Sequence, residues 1–449
     1  RRHSFPTRRS SDLQVERALA IEVVAHQLAP DPHHQARSLV GQGGIKLHRG
    51  RAGADLGADV GVALELIPNM PAAAQFMWEQ VKKTDFKKRA PVLAAEILME
   101  NPDVVGIQEA TTWYCKKNLF SKKVAVFDFT ESLLAELNGE YVIPAKGGVK
   151  AFNPGYSIAP VPFLTKVTDP DTFQPLFGSD SAACGFEIGD ALFIKASLSS
   201  KVINVGNTEY VDAYTIVPTL MRIFRGYTWA DIEIAGSPIR FISTHLESIW
   251  DENKVPNAAK QAEQLIADLK ETKMPTIIVG DFNSDPRDPR PSNAANPGLQ
   301  PTASDECPTN SSKCNAYKLM VEAGFADSGP DASEATTYTW GMNALLTGPD
   351  PDRFKAAQSM GNDYGFTDRL DYIFSKNGAV VTTSKIIGFK APYSTDHAGV
   401  VAEFKITTSD KSISPEPPSH KPFPISFWER IGLGVLALLG WLIVRKFRR

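Results

Sequence analysis

Five short stretches of this chain end an apolar run in acid, amide or imidazole side chains. They are DVVGIQEA (Asp103 to Ala110), IRFISTHLES (Ile239 to Ser248), TIIVGDFNSDP (Thr276 to Pro286), RLDYIFS (Arg369 to Ser375) and STDHAGVV (Ser394 to Val401). Together they present Glu109, His245, Asp281, Asn283, Asp371, Asp396 and His397. The oxygen donors, with no cysteine among them, favour a hard cation, Mg²⁺ or else Mn²⁺ or Ca²⁺, over zinc. Such a cation polarises a phosphoryl oxygen and offsets the charge that builds there under attack. Asp281 is suited to orienting and deprotonating water, and Asn283 to holding the water or a phosphate through its amide. His397 can donate to a phosphate oxygen if an acid such as Asp371 fixes its tautomer, and a general-base role for it is equally open. Taken singly, each residue has a plain use as a helix cap, a turn residue or a satisfied core histidine. The set is what points to chemistry.

These groups must be held by something rigid, and strand tips on a layered scaffold do that. LFIKASL, IRFISTHLES, TIIVGDFNSD, RLDYIFS and HAGVVAEFKI read as strands, and NAAKQAEQLIADLKE (Asn257 to Glu271) as an amphipathic helix between two of them. Helical spacing also runs from Ala72 to Glu100, where Pro91 is expected to divide two helical pieces. The alternation predicts α/β layering, with sheet packed inside helices.

In order and spacing, VVGIQEA, ISTHLES, IIVGDFNSDP, RLDYIFS and STDHAGVV resemble the signatures of the endonuclease/exonuclease/phosphatase superfamily. That superfamily includes pancreatic-type deoxyribonucleases, abasic-site endonucleases, neutral sphingomyelinases and inositol polyphosphate 5-phosphatases. The resemblance implies a four-layer sandwich of two packed mixed β-sheets flanked by helices. It implies Glu109 as the principal Mg²⁺ ligand with Asp396 assisting, and Asp281 and Asn283 as the pair orienting water and phosphate. It further implies His245 on the phosphate and Asp371 supporting His397. The expected activity is Mg²⁺-dependent hydrolysis of a phosphodiester or phosphomonoester in a nucleic acid, phospholipid or small molecule, with no protein partner implied. The rival is a membrane-tethered binding module that keeps the fold without catalysis; a zinc hydrolase is a third reading. One departure concerns the family's opening strand, which ends in a metal-holding Asn. Gly61 stands roughly where that Asn is expected, so an incomplete metal site and a sheet lacking one strand are predicted. Asp190 in GDALFIKAS is read as a surface-turn residue in preference to one that reaches the cleft, and Trp340 in YTWG as either a substrate contact or a packing residue.

The chain of 449 residues divides on composition. Residues 1–61 read as a non-native, disordered leader: RRHSFPTRRSSDL resembles a translated sequencing adapter, and five of the eight histidines lie in this stretch. No signal peptide is legible there. Residues 62–408 form the expected catalytic domain, 409–424 a Ser/Pro-rich linker, 425–445 a transmembrane helix, and 446–449 a basic end. By the positive-inside rule that end stays cytoplasmic, so the domain is expected outside the cell membrane. A formal charge of −3 gives no global drive toward polyanions, and the lysine-rich runs VKKTDFKKR and CKKNLFSKK read as solvated helix faces. Cys307 and Cys314 bracket a polar loop that suits a disulfide, a zinc site or two free thiols.

Overall fold

Two sheets face each other, and the apolar runs of the sequence form both sides of their contact. In the computed structural model, residues 81–116, 122, 124–157, 161–165, 181–217, 221–234, 236–250, 254–291, 300–342, 346–349 and 351–406 are described, together with 17–24. Of these, 17–24, 154–157, 161–165, 181–186, 215–217, 221–223 and 352 are described by their backbone alone.

The first sheet takes strands β1 (Arg17–Val24), β2 (Val104–Lys116) and β3 (Ser181–Lys195). The second is built from β4 (Val202–Glu209), β5 (Gly226–Ile234), β6 (Ser237–His245), β7 (Thr276–Asp281), β8 (Ala326–Asp327) and β9 (Asp371–Lys376). Strands β10 (Ala379–Ile387) and β11 (Gly399–Ile406) return the chain to the first sheet. The first sheet runs β10-β11-β1-β2-β3 to the short strand Tyr141–Val142, and the second β4-β5-β6-β7-β9-β8.

Val104, Leu192 and Ile194 of the first sheet meet Ile232, Ile239, Phe241, Ile277, Val279 and Ile373 of the second in one buried cluster. The intervening residues Val105 and Phe193 face outward, onto helices α1 (Phe86–Glu100) and α2 (Phe129–Glu136). On the far side, α3 (Asn257–Asp268) and α4 (Ala316–Glu322) cover Tyr227, Ile242, Ile278, Phe282 and Tyr372. Each central strand is buried on both faces, which is why the sequence shows continuous apolar runs there in place of alternation. The result is the expected helix–sheet–sheet–helix order.

Two expectations need correction. The first sheet does not lack a strand among the described residues: Arg17–Val24 lies parallel to β2 (Val24 opposite Gln108) and antiparallel to β11. Residues 1–61 are therefore not wholly outside the fold. RALAIEVV is an apolar run of strand length, and compositional bias around it obscured that signal. The next residue in sequence is Ala25, which offers no side-chain oxygen. Second, the helix break falls at Asp85, whose φ of 44° is left-handed, and Pro91 lies within α1. Pro91 is exposed on the helix surface, so water can satisfy the carbonyl its missing N–H leaves unbonded. The expected linker and transmembrane helix of residues 409–445 lie outside the described residues. Among the described residues no helix is long and apolar enough to cross a membrane.

Close approach of the strands requires glycine at two places. A Cβ on Gly106 would lie 2.1 Å from Val279 Cγ2 across the sheet interface, and one on Gly280 would lie 2.3 Å from the Thr244 carbonyl oxygen. Gly280 immediately precedes Asp281, and its neighbour Thr244 precedes His245, so the constraint bears on the tips of two strands. Gly280→Ala is expected to lower the unfolding free energy by about 1–3 kcal/mol through overpacking. A denaturant titration measures it, and an unchanged midpoint would show that Thr244 yields without cost.

Candidate active site

Register does the first part of the assembly. His245 at the end of β6 lies opposite Asp281 at the end of β7, and Asp281 lies opposite Asp371 at the start of β9. All three continue the inward-facing positions of Phe241, Val279 and Ile373, so they form one row at the edge of the inter-sheet cleft. The strand ends are tied across this row: Leu246 N donates to Asp281 O (2.9 Å) and Phe282 N to Leu370 O (2.9 Å).

His397 reaches the row from the segment before β11. Its Nδ1 lies 2.9 and 3.1 Å from the two oxygens of Asp371, and both residues are buried. An ionised carboxylate only accepts, so Nδ1 carries the proton and Nε2 is the nitrogen that can exchange one with a ligand. Ligand atoms of Asp281, Asp371 and His397 all lie within 4.8 Å of one another.

His245 is held differently. Arg225, just ahead of β5, brings its NH1 group to 3.0 Å from Nδ1 of His245, and its Nε lies 3.4 Å from Glu247 Oε2. A guanidinium can only donate, so Nδ1 must accept and the ring proton sits on Nε2. Nε2 in turn faces Asp281 Oδ2 at 3.4 Å. Asn283 Nδ2 is 3.1 Å from the same nitrogen, a contact between two donors, and makes its own bond to Leu246 O at 2.8 Å. Asn283 has a φ of 45°, a left-handed backbone that Asn tolerates better than most residues. Its N–H donates to Asp281 Oδ1 (2.8 Å), so the tight turn itself fixes the two side chains of the GDFN stretch.

Glu109 comes from the opposite sheet, by way of a bulge. Ile107 and Ala110 both pack on the helix side, and the β2–β3 register shifts between them. The two intervening residues, Gln108 and Glu109, therefore break the alternation, with Glu109 at a φ of 52°. Gln108 Nε2 donates to Ser243 Oγ of β6 at 2.9 Å, bonding the sheets at this edge.

Asp190 departs from its expected surface turn. It is buried in β3, its Oδ1 has no hydrogen-bond partner, and burial holds its carboxyl well above the usual range. Arg225 opposes that rise, while Glu109 and Asp281 add to it. Burial draws Arg225 down, but Glu247, Glu109, Asp190 and Asp281 outweigh it and raise the guanidinium above its ordinary value. Four carboxylates thus surround a single arginine, and one of their buried oxygens is orphaned. That surplus of hard oxygen donors fits a divalent cation.

Neither Glu109 nor Asp396 belongs to the converging group of Asp281, Asp371 and His397. Asp396 lies beside Arg89 of α1, which donates to Thr84 O (2.7 Å) and Ser394 O (2.5 Å) and anchors this segment. Burial lowers Arg89 to about 10, with Asp396 and then Asp85 opposing. Asp190 is the cleft residue that the surface-turn reading set aside; Arg225 has no signal in the sequence alone, although the hairpin register Gly226–His245 puts it next to the histidine.

The profile of the endonuclease/exonuclease/phosphatase family matches residues 87–410, more than two thirds of the chain. No curated protein matches the sequence. Similar solved structures include an endonuclease/exonuclease/phosphatase family protein from Bacteroides thetaiotaomicron, 14% identical, with 88% of this chain and 100% of that one covered and a TM-score of 0.42. One from Beutenbergia cavernae is 14% identical, covering 87% and 72%, with a TM-score of 0.44. Truncated TDP2 from Caenorhabditis elegans is 12% identical, covering 71% and 91%, with a TM-score of 0.37. These likenesses are distant, and the assignment rests on the profile match. The chain belongs to the endonuclease/exonuclease/phosphatase family, whose members generally hydrolyse phosphoester bonds.

Proposed function

We propose that this chain hydrolyses a phosphoester by attack of water in the presence of a divalent cation, Mg²⁺ first, with Mn²⁺ and Ca²⁺ as alternatives. The observation that carries the reading is the in-register row His245–Asp281–Asp371, completed by His397 on Asp371 at 2.9 Å. Glu109, Asp190 and Asp281 are the residues to hold the cation, which when bound would offset charge on the phosphoryl oxygens. Asp281 orients the attacking water. Arg225, Nε2–H of His245 and the amide of Asn283 supply the donors for phosphate oxygens, and Arg225 also keeps His245 in that tautomer. His397, oriented by Asp371, exchanges a proton at Nε2 with the phosphate or its leaving oxygen. The substrate is a nucleic acid, a phospholipid or another small phosphodiester.

Placement outside the cell membrane is part of the proposal. Cys307 and Cys314 are bonded, which agrees with the disulfide reading of the loop. Cys115 is bonded too, with Cys184 directly opposite it in the β2–β3 register. An oxidising compartment supports such bonds. The tether itself rests on the sequence of residues 425–445. Denatured but unreduced protein is expected to take up no alkylating agent, and all four cysteines to react after reduction. Mass spectrometry reads both states, and alkylation before reduction would remove the support for export.

Hydrolysis of plasmid DNA and of sphingomyelin, followed in parallel, tests the function. Activity is expected on one of them, abolished by a metal chelator and restored by Mg²⁺. His397→Ala should lower kcat by roughly 10²–10⁴-fold with the fold intact. Retained activity in either the chelated protein or His397→Ala would refute the mechanism. Arg225→Lys keeps the charge but loses the fork that spans His245 and Glu247, and should lower kcat/KM about tenfold or more. Wild-type kcat/KM in Arg225→Lys would remove Arg225 from the site.

A further inference from the structure

Behind His397 lies a buried ionic network that the proposed mechanism does not use. It joins the loop after β7 (Asp285, Arg287, Asp288, Arg290) to the segment before β9 (Asp368) and to Arg353 of helix α5 (Pro351–Ser359). Asp368 is its hub, accepting from Arg290, from Gln300 Nε2 at 2.9 Å, from Arg353 NH1 at 2.8 Å and from Thr367 Oγ1 at 2.6 Å. Arg353 is only 4% exposed at its side chain, and NH1 also donates to Thr367 Oγ1 at 2.8 Å. With those bonds made, the central carbon of its guanidinium lies over the Trp340 ring, 3.7 Å from the ring centroid.

Trp340 links that arginine to the active site. Its N–H donates to Asp368 O at 3.0 Å and its carbonyl accepts from Thr367 N at 2.9 Å. On its other side its backbone is bridged to that of His397, and Ala398 N donates to Thr339 O at 2.8 Å. The rings of Trp340 and His397 are 6.1 Å apart at 40°. The segment carrying His397 thus hangs on Trp340, and Trp340 is pinned by main-chain bonds to Asp368 and by the guanidinium of Arg353.

We propose that Arg353 is a positioning residue for His397, acting through Trp340; the proposal rests on the hydrolase reading of the site. A buried guanidinium that needed only compensation would be satisfied by Asp368 and Thr367. Its place over the Trp340 ring is one that a broad guanidinium fills while still bonded to Asp368, and a lysine ammonium does not. Loss of that contact frees the indole to tilt, and the error passes along one backbone bridge to the imidazole. Displacement of a reacting group far from the change is costly in rate.

The test is Arg353→Lys, which keeps a cation beside Asp368. Its kcat is expected to fall about tenfold while KM stays within about twofold. In the folded protein the imidazole proton resonance of His397, identified by its loss in His397→Ala, should shift, while that of His245 stays in place. In combination with Trp340→Phe, Arg353→Lys should lower kcat by less than the product of the two single effects. If Arg353→Lys does not fold, Trp340→Phe alone carries the same kinetic and spectroscopic test. An unmoved His397 resonance with unchanged kcat, whatever happens to Tm, would overturn the proposal and leave Arg353 a structural ion. A wild-type protein without phosphoester activity would overturn the hydrolase reading instead, and the resonance would still decide the positioning claim.

Discussion

The structure depends on one register. Parallel pairing of β6 with β7 and antiparallel pairing of β7 with β9 bring His245, Asp281 and Asp371 to the same level. Because side chains alternate along a strand, a slip of one residue in β7 would turn Asp281 and Asn283 away from their partners and drive Ile278 into the cleft. Burial on both faces resists such a slip, since Ile277 and Val279 have holes to fill between the sheets and Ile278 under α3 and α4. Gly280 tightens the specification, because no other side chain fits against Thr244 at that position. The hydrophobic pattern of the strands is thus also what aligns the polar row, and chemistry at the tip follows from packing in the middle.

Charge is the second constraint. An ionised group taken out of water needs a partner of opposite sign or it neutralises. Two solutions coexist within one edge of the sandwich. Around Asp285, Asp288 and Asp368 the carboxylates are paired with Arg287, Arg290 and Arg353, and these pairs tie residues 285–290 to the segment before β9. Around Arg225 four carboxylates, Glu247, Glu109, Asp190 and Asp281, act on one guanidinium. The first cluster pins backbone segments together, whereas the second gathers hard oxygen donors around one arginine. Net charge over the whole chain says nothing of this difference, because both clusters are local.

Much of this was legible in sequence for a physical reason. A continuous apolar run that stops abruptly in Asp, Asn, Glu or His has few uses other than a buried strand that presents its tip, and five of them in order specified the layers. Reading failed where meaning depends on neighbours in space. Asp190 looks like a turn residue until β3 is seen to bury it beside Glu109. Arg225 and Arg353 lie in unremarkable surroundings, FRGYTW and PDRFK, and acquire roles only through His245 and Trp340. Pro91 was overrated as a breaker, since a left-handed Asp85 had already turned the chain. The strand Arg17–Val24 was lost because composition was weighed over a longer window than a strand occupies.

The bulge at Gln108–Glu109 shows why such a site resists design by pattern alone. Perfect alternation would send Glu109 toward α1 and α2, where Ile107 and Ala110 already pack. A left-handed residue other than glycine costs on the order of 1 kcal/mol or more, so the bulge persists only where its surroundings over-determine it. Those surroundings are identifiable: the bond from Gln108 to Ser243 across the sheets, the bond from Thr111 Oγ1 to the Glu109 carbonyl at 2.8 Å, and β3 pairing on either side. Local strain in β2 is therefore the means by which the first sheet contributes a carboxylate to a row built by the second. Neither sheet alone could hold Glu109, Asp281 and Arg225 in one another's field, so the pairing of the two sheets is itself part of the site.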